Sequence, residues 1–268
     1  MKLPRLGMGT WHMGEDAHAR AEEVRALQLG LDLGMSLVDT AEMYGDGGAE
    51  EVVGEALRGR RESAYVVSKF YPHNAAPKKL VAACEASLKR LRIARLDLYL
   101  LHWRGSVPLE ETVEALESLV AAGKIALWGV SNFDVEDIQE LARVPGGERV
   151  GANQVLYNLG RRGIEFDLLP LCTGSHIDVM AYSPLDEGTL ARHPALVPIA
   201  RECGSTPAQV ALAWLLQRPG VCVIPKASRE EHVRSNAAAR DSELSLAALR
   251  ALDEAFPPPK GKRPLEVI

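Results

Sequence analysis

Repeated alternation is the feature that most limits what this chain can become. Short apolar runs alternate with longer stretches of helical spacing eight times, with no break in composition between them. The apolar runs fall near residues 3–9, 37–38, 65–69, 96–102, 126–130, 152–155, 178–182 and 221–224. The helical stretches fall near 17–34, 50–57, 77–91, 109–122, 135–143, 166–172, 207–216 and 230–239, with one more at 246–255. Strict alternation predicts parallel strands joined by helical crossovers. Eight such units in 268 residues predict one closed (β/α)8 TIM barrel, an α/β fold, rather than an open doubly wound sheet. An open sheet would carry a glycine-rich phosphate loop after its first strand. Here Gly7-Met8-Gly9 runs into Thr10-Trp11-His12 with no third glycine. The expected organisation is a single domain over 1–268.

Composition narrows the class. A net charge of −5 with both signs scattered gives no footprint for nucleic acid or for a membrane surface. The apolar runs are too short to span a bilayer, and no signal-like segment follows the first basic residues. The four cysteines, Cys84, Cys172, Cys203 and Cys222, lack metal-site spacing and read as reduced thiols. A cytoplasmic protein with no metal is expected.

In a barrel of this kind all strand C-termini face one rim, where chemistry collects. The exits read Thr10-Trp11, Asp39 with Tyr44, Lys69, His102-Trp103, Ser131-Asn132, Gln154, Tyr182-Ser183 and Pro225-Lys226. Any one of these has a structural explanation. A strand-end lysine is commonly a solvated cap, and a histidine after an apolar run is commonly a hydrogen-bonded core residue. An acid, a phenol, an ammonium and an imidazole on three successive exits form a coherent set. A phenol titrates near 10, too high for easy proton transfer at neutrality, and a nearby ammonium lowers that value. A carboxylate keeps the ammonium charged and oriented. A neutral imidazole can hold a carbonyl oxygen toward the phenol. The set suits proton delivery to a carbonyl oxygen and lacks the donors for a metal.

At this point the chain resembles the aldo-keto reductase family over nearly its whole length. The resemblance rests on LGMGTW (6–11), LVDTAEMYG (37–45), VVSKF (66–70), LDLYLLHW (96–103), GKIALWGVSNF (123–133), NQVLYN (153–158), VMAYSPL (179–185) and VIPKAS (223–228) with Asn236. DTAEMYGDGGAEEVVGEAL, NQVLYNLGRRGIEFDLLP and the late PPKGK resemble a bacterial branch that includes methylglyoxal reductases. The resemblance implies NADPH-dependent reduction of small aldehydes and ketones. It implies Tyr44 as general acid, tuned by Lys69 and Asp39, with His102 orienting the carbonyl. For NADP(H) it implies contacts from Thr10, Trp11, Ser131, Asn132 and Gln154 around the nicotinamide, with Tyr182 stacked on the ring. Ser183, Leu185 and Gly188 would approach the pyrophosphate. Lys226, Ser228 and Arg229 would meet the 2′-phosphate, and Asn236 the adenine. Ser131-Asn132 as a helix N-cap pair, Gln154 as a buried amide and Arg234 as a solvated helix charge stay open as structural alternatives.

The chain also departs from the family pattern. His232 and Ala227 stand where many relatives carry an arginine and a hydroxyl. Too few residues precede Gly7 for a full barrel-closing N-terminal hairpin, so that hairpin is expected to be shortened or absent. The loop 103–110 and the tail after Pro259 are short. Trp11, Tyr71 and Trp103 are expected to line a small, open substrate pocket. The family also includes nicotinamide-binding accessory subunits with little turnover, which is the alternative function. A serine hydrolase is excluded at Gly129-Val130-Ser131-Asn132-Phe133, where Phe133 replaces the second glycine of a nucleophile elbow. A monomer with a small-molecule carbonyl substrate and no obligate protein partner is expected.

Overall fold

A computed structural model describes residues 3–268. Eight parallel strands form one sheet in sequence order: β1 (Gly7–Gly9), β2 (Leu37–Asp39), β3 (Tyr65–Phe70), β4 (Leu96–Leu101), β5 (Ile125–Ser131), β6 (Ala152–Leu156), β7 (Asp178–Tyr182) and β8 (Val221–Val223). The sheet closes on itself. Leu6 bridges Val223 and Gly9 bridges Lys226, both parallel, and Val223 N donates to Arg5 O at 2.8 Å. The fold is a (β/α)8 TIM barrel.

Between strands run α1 (Arg20–Asp32), α2 (Gly48–Ala56), α3 (Pro77–Leu91), α4 (Leu109–Ala121), α5 (Val135–Leu141), α6 (Leu168–Gly174), α7 (Leu196–Glu202) and α8 (Pro207–Leu216), followed after β8 by α9 (Glu230–Ala238) and α10 (Leu246–Ala255). Thr206 caps α8 in a reciprocal box with Gln209, and Pro207 takes the first turn. Such a cap is worth about 0.5–2 kcal/mol. Gly34 leaves α1 with φ 81°, the left-handed exit its position in the sequence predicts. α7 is absent from the sequence reading, because its seven residues carry a proline in the first turn and span too few turns to show a period.

The core has two shells, as the strand period requires. Leu37, Val67, Leu98, Leu100, Ala152, Met180, Cys222 and Ile224 fill the barrel interior. A larger outer shell packs the sheet against the helices. Among the described residues no hairpin precedes β1. Leu3 instead packs into the interior cluster, and its backbone N–H donates to Asp178 Oδ2 at 3.0 Å. No described helix is long and apolar enough to cross a membrane.

Candidate active site

Parallel register brings the exits of β2, β3 and β4 side by side, since Asp39 pairs with Val67 and Lys69 pairs with Leu100. Lys69 is fully buried, and its Nζ donates to Asp39 Oδ2 at 2.8 Å, to Thr40 O at 2.9 Å and to Tyr44 Oη at 3.0 Å. All three ammonium protons are therefore placed. Asp39 also accepts from Gln154 Nε2 at 2.8 Å, and Thr10 Oγ1 donates to Asp39 O at 3.0 Å. The tyrosine and histidine rings meet edge to face, 5.8 Å between centroids. The four predicted residues thus share one small volume.

Burial dominates the electrostatics. It works against the Lys69 ammonium, but Asp39 and then Tyr44 outweigh it, and the net direction is upward. For Tyr44 burial pushes the phenol up, and Lys69 pulls it only part of the way back. This corrects the expectation of a lowered phenol: Tyr44 remains protonated across the neutral range. His102 is pushed down to about 3, first by burial and then by Lys69, so the imidazole is neutral. Its Nδ1 is buried with no partner among the described residues.

The loop carrying Tyr44 owes its path to backbone that glycine, and next aspartate and asparagine, adopt most readily. Gly45, Asp46 and Gly47 all have positive φ, a left-handed run that turns the chain into α2. Gly14, at φ 74°, lies against Gly48 so closely that an added Cβ would stand 2.3 Å from the Gly48 carbonyl carbon. Beneath it, buried Glu50 accepts from Ser68 Oγ and from Arg90 Nε at 2.6 Å, tying α2 to β3 and α3.

Asp39, Tyr44 and His102 line a cavity of about 800 Å³, and Lys69 is buried against them. Thr10, Trp11, Ser131, Asn132, Gln154, Tyr182, Ser183, Leu185, Gly188, Lys226, Arg229 and Asn236 all line it. Tyr182 Oη donates to Asn132 Oδ1 at 3.0 Å, and burial pushes this phenol up to about 12. Ser131 Oγ donates to Gln154 O at 3.0 Å. Asn132 and Ser183 hold φ of 57° and 46°, strain of a kind that collects at functional sites. The N-cap alternative for Ser131-Asn132 is set aside, because Asp134 caps α5 in a box with Asp137. Gln154 is a buried, bonded amide and also lines the cavity.

Two predicted residues sit elsewhere. Ser228 is not among the lining residues. Tyr71 stacks on His73 and meets Trp103 edge to face, 5.9 Å between ring centroids, and is not among the lining residues. Arg234 points along α9 toward Glu230 at 3.9 Å and is an exposed helix charge. The sequence reading missed His12, Met43, Arg192, Val267 and Ile268, all of which line the cavity. Met43, next to Tyr44, and His12, next to Trp11, could have been inferred from adjacency. The tail could not. Glu266 pairs with Arg161 at 2.6 Å, Leu265 packs on the outer core, and the last residues reach the mouth, which is therefore less open than expected.

Among the described residues no cluster of three or more His, Cys, Asp or Glu could hold a metal. Burial pushes the thiols of Cys84, Cys172 and Cys222 upward, which leaves them unreactive.

The cavity suits a dinucleotide. Left-handed Ser183 and Gly188 open backbone along one wall, and Lys226 and Arg229 supply cations at the β8 exit. The sequence profile described as the aldo/keto reductase family matches residues 5–256. A methylglyoxal reductase of Escherichia coli, YeaE, is 54% identical over all of this chain and 96% of its own length. A glyoxal reductase of Bacillus subtilis is 34% identical over 94% of this chain and 89% of its own. An aldo/keto reductase from Klebsiella pneumoniae, solved in complex with NADP and acetate, superposes with a TM-score of 0.97 at 52% identity. That match covers 99% of this chain and 96% of the other.

Proposed function

The chain belongs to the aldo/keto reductase family, and from that premise we propose that it reduces small aldehydes and dicarbonyls such as methylglyoxal with NADPH. The observation that carries this reading is the buried Lys69 ammonium, hydrogen-bonded at once to Asp39 and to the Tyr44 phenol at the base of the cavity. Bound NADPH supplies the hydride. Tyr44 supplies the proton: its phenol is neutral at rest, and Lys69 stabilises the phenolate left once the proton has moved to the carbonyl oxygen. Asp39 keeps Lys69 charged throughout, and the phenolate takes its next proton from water in the cavity once the alcohol has left. Neutral His102 donates one N–H to the same oxygen and holds the carbonyl beside Tyr44. Ser131, Asn132 and Gln154 hold the nicotinamide carboxamide, and Tyr182 supports the ring. Ser183, Leu185 and Gly188 face the pyrophosphate, Lys226 and Arg229 the 2′-phosphate, and Asn236 the adenine. Trp11 and Trp103 wall the substrate.

The site is complete within one chain, which supports action as a monomer. Unpaired thiols and the use of NADPH support a cytoplasmic setting. The test is turnover of methylglyoxal with NADPH by the wild-type chain and by Tyr44→Phe. The variant is expected to lose at least about a hundredfold in kcat while NADPH affinity changes little. A wild-type chain that binds NADPH and turns over no aldehyde would be an accessory subunit instead. A fully active Tyr44→Phe would remove the assigned acid.

A further inference from the structure

The cations lining the cavity are distributed unevenly, and Glu187 lines it on the same side as they do. The lining arginines and lysine, Arg192, Lys226 and Arg229, all follow β7 or β8. The segments after β1 to β4 and the tail contribute Trp11, Met43, Tyr44, His102, Trp103 and Ile268, and no lysine or arginine to the lining. Lys69, beneath that end, is spent on Asp39 and sealed from solvent. His12 is held by Glu15 at 2.9 Å, so any charge on its ring is offset. Arg104, on the loop after His102, is turned onto the carbonyls of Gly105 and Val107 and onto Glu140 at 3.1 Å.

Two acidic residues, Glu42 and Asp46, flank the lining residues Met43 and Tyr44 in the chain. Among the described residues, neither Glu42 nor Asp46 makes an ion pair. Glu42 accepts only from Tyr71 N at 2.7 Å and Asn74 Nδ2 at 2.9 Å. Glu42 thus sits against Tyr71, whose ring meets Trp103 edge to face at 5.9 Å between centroids, and after burial Asp46 and then Glu42 push the Tyr71 phenol upward.

Resting on the reductase reading, we propose that this site selects uncharged carbonyl compounds and turns away those bearing a carboxylate. A carbonyl group binds at Tyr44 and His102 in either case. The remainder of the molecule must then lie against two tryptophans, a methionine and aliphatic tail residues. A neutral remainder gains from that contact. A carboxylate there leaves water without meeting a cation, beside a loop whose Glu42 and Asp46 carry no ion pair.

The experiment compares two aldehydes of matched shape, methyl 4-formylbenzoate and 4-formylbenzoate, with NADPH at about pH 8, where ordinary imidazoles are neutral. The wild-type chain is expected to favour the ester at least about tenfold in kcat/KM, mainly through KM. Raising salt to about 0.5 M should narrow the gap, because exposed charges are screened within a few ångströms there. Asp46→Asn keeps a residue type that tolerates the left-handed backbone. It should raise kcat/KM for the anion about twofold and leave the ester unchanged. Equal kcat/KM for the two aldehydes would overturn the inference, as would a gap that neither salt nor Asp46→Asn moves. Turnover of neither aldehyde would overturn the reductase reading and this inference with it.

Discussion

Lys69 Nζ lies 3.0 Å from Tyr44 Oη and 4.6 Å from the centre of the Tyr44 ring, so the ammonium meets both the edge and the face of the phenol. The phenolate formed when the proton leaves is therefore met by a full charge already in place. Lys69→Met keeps the volume and removes the charge. It is expected to lower kcat by at least about a hundredfold. It also leaves the buried Asp39 carboxylate with Gln154 as its one remaining donor among the described residues, which should destabilise the fold by about 3–5 kcal/mol. Steady-state rates read alongside urea unfolding separate the two effects. A stable variant with wild-type kcat would show that the ammonium has no part in the proton step.

The His102 shift carries a sign for acid stability. Its folded pKa, about 3, lies below its ordinary value of 6.5. Between these values the unfolded chain binds a proton that the folded chain refuses. The contribution is whole above pH 6.5 and is lost as pH falls toward 3. The slope it adds is at most about 1.4 kcal/mol per pH unit. His102→Gln should flatten the acid side of the stability profile, measured by denaturant unfolding at a series of pH values. Equal profiles would mean that the ring is protonated in the folded chain.

Lys226 and Arg229 follow β8, and Arg229 Nη2 lies 3.2 Å from His232 Nε2. The pair forms a cationic end to the cavity. Their joint replacement by alanine should raise the NADPH dissociation constant at least about tenfold, from the loss of charge-assisted bonds. NADH, with no 2′-phosphate, should be little affected. Fluorescence titration with both cofactors reads the difference, and equal losses would reassign the two cations.

Arg161 joins two segments at the mouth. It pairs with Glu266 on the tail at 2.6 Å and reaches Asp186 at 3.6 Å, on the loop that also carries Leu185 and Gly188. All three side chains are part-exposed, so the pairs are worth at most about 1 kcal/mol. Arg161→Ala should raise KM for aldehyde and for NADPH a few-fold at nearly unchanged stability. Arg161→Lys should recover part of the loss. A change in stability with no change in either KM would assign Arg161 to folding alone.

The chemistry of the site was legible because barrel geometry is a matter of period and order. Once the alternation is counted, the residues ending each apolar run must face one rim, and Asp39, Tyr44, Lys69 and His102 follow from that. The same logic placed Gln154, Tyr182 and Lys226 at the cavity. Residues outside the strand ends were less legible: neither Ser228 nor Tyr71 lines the cavity, because a loop's place in the chain does not set which of its side chains reach it.

The amino-acid order by itself determined the fold, the family and which four side chains share the reacting end. What it could not determine depends on distance through space. The Tyr44 phenol lies above its ordinary pKa because burial outweighs the nearby lysine, and burial exists only once eight strands have closed. Tail closure over the mouth rests on Arg161 and Glu266, 105 residues apart along the chain, and no local pattern encodes such a contact. That Arg104 adds no cation to the cavity lining is likewise tertiary, since it comes from where Arg104 finds its partners.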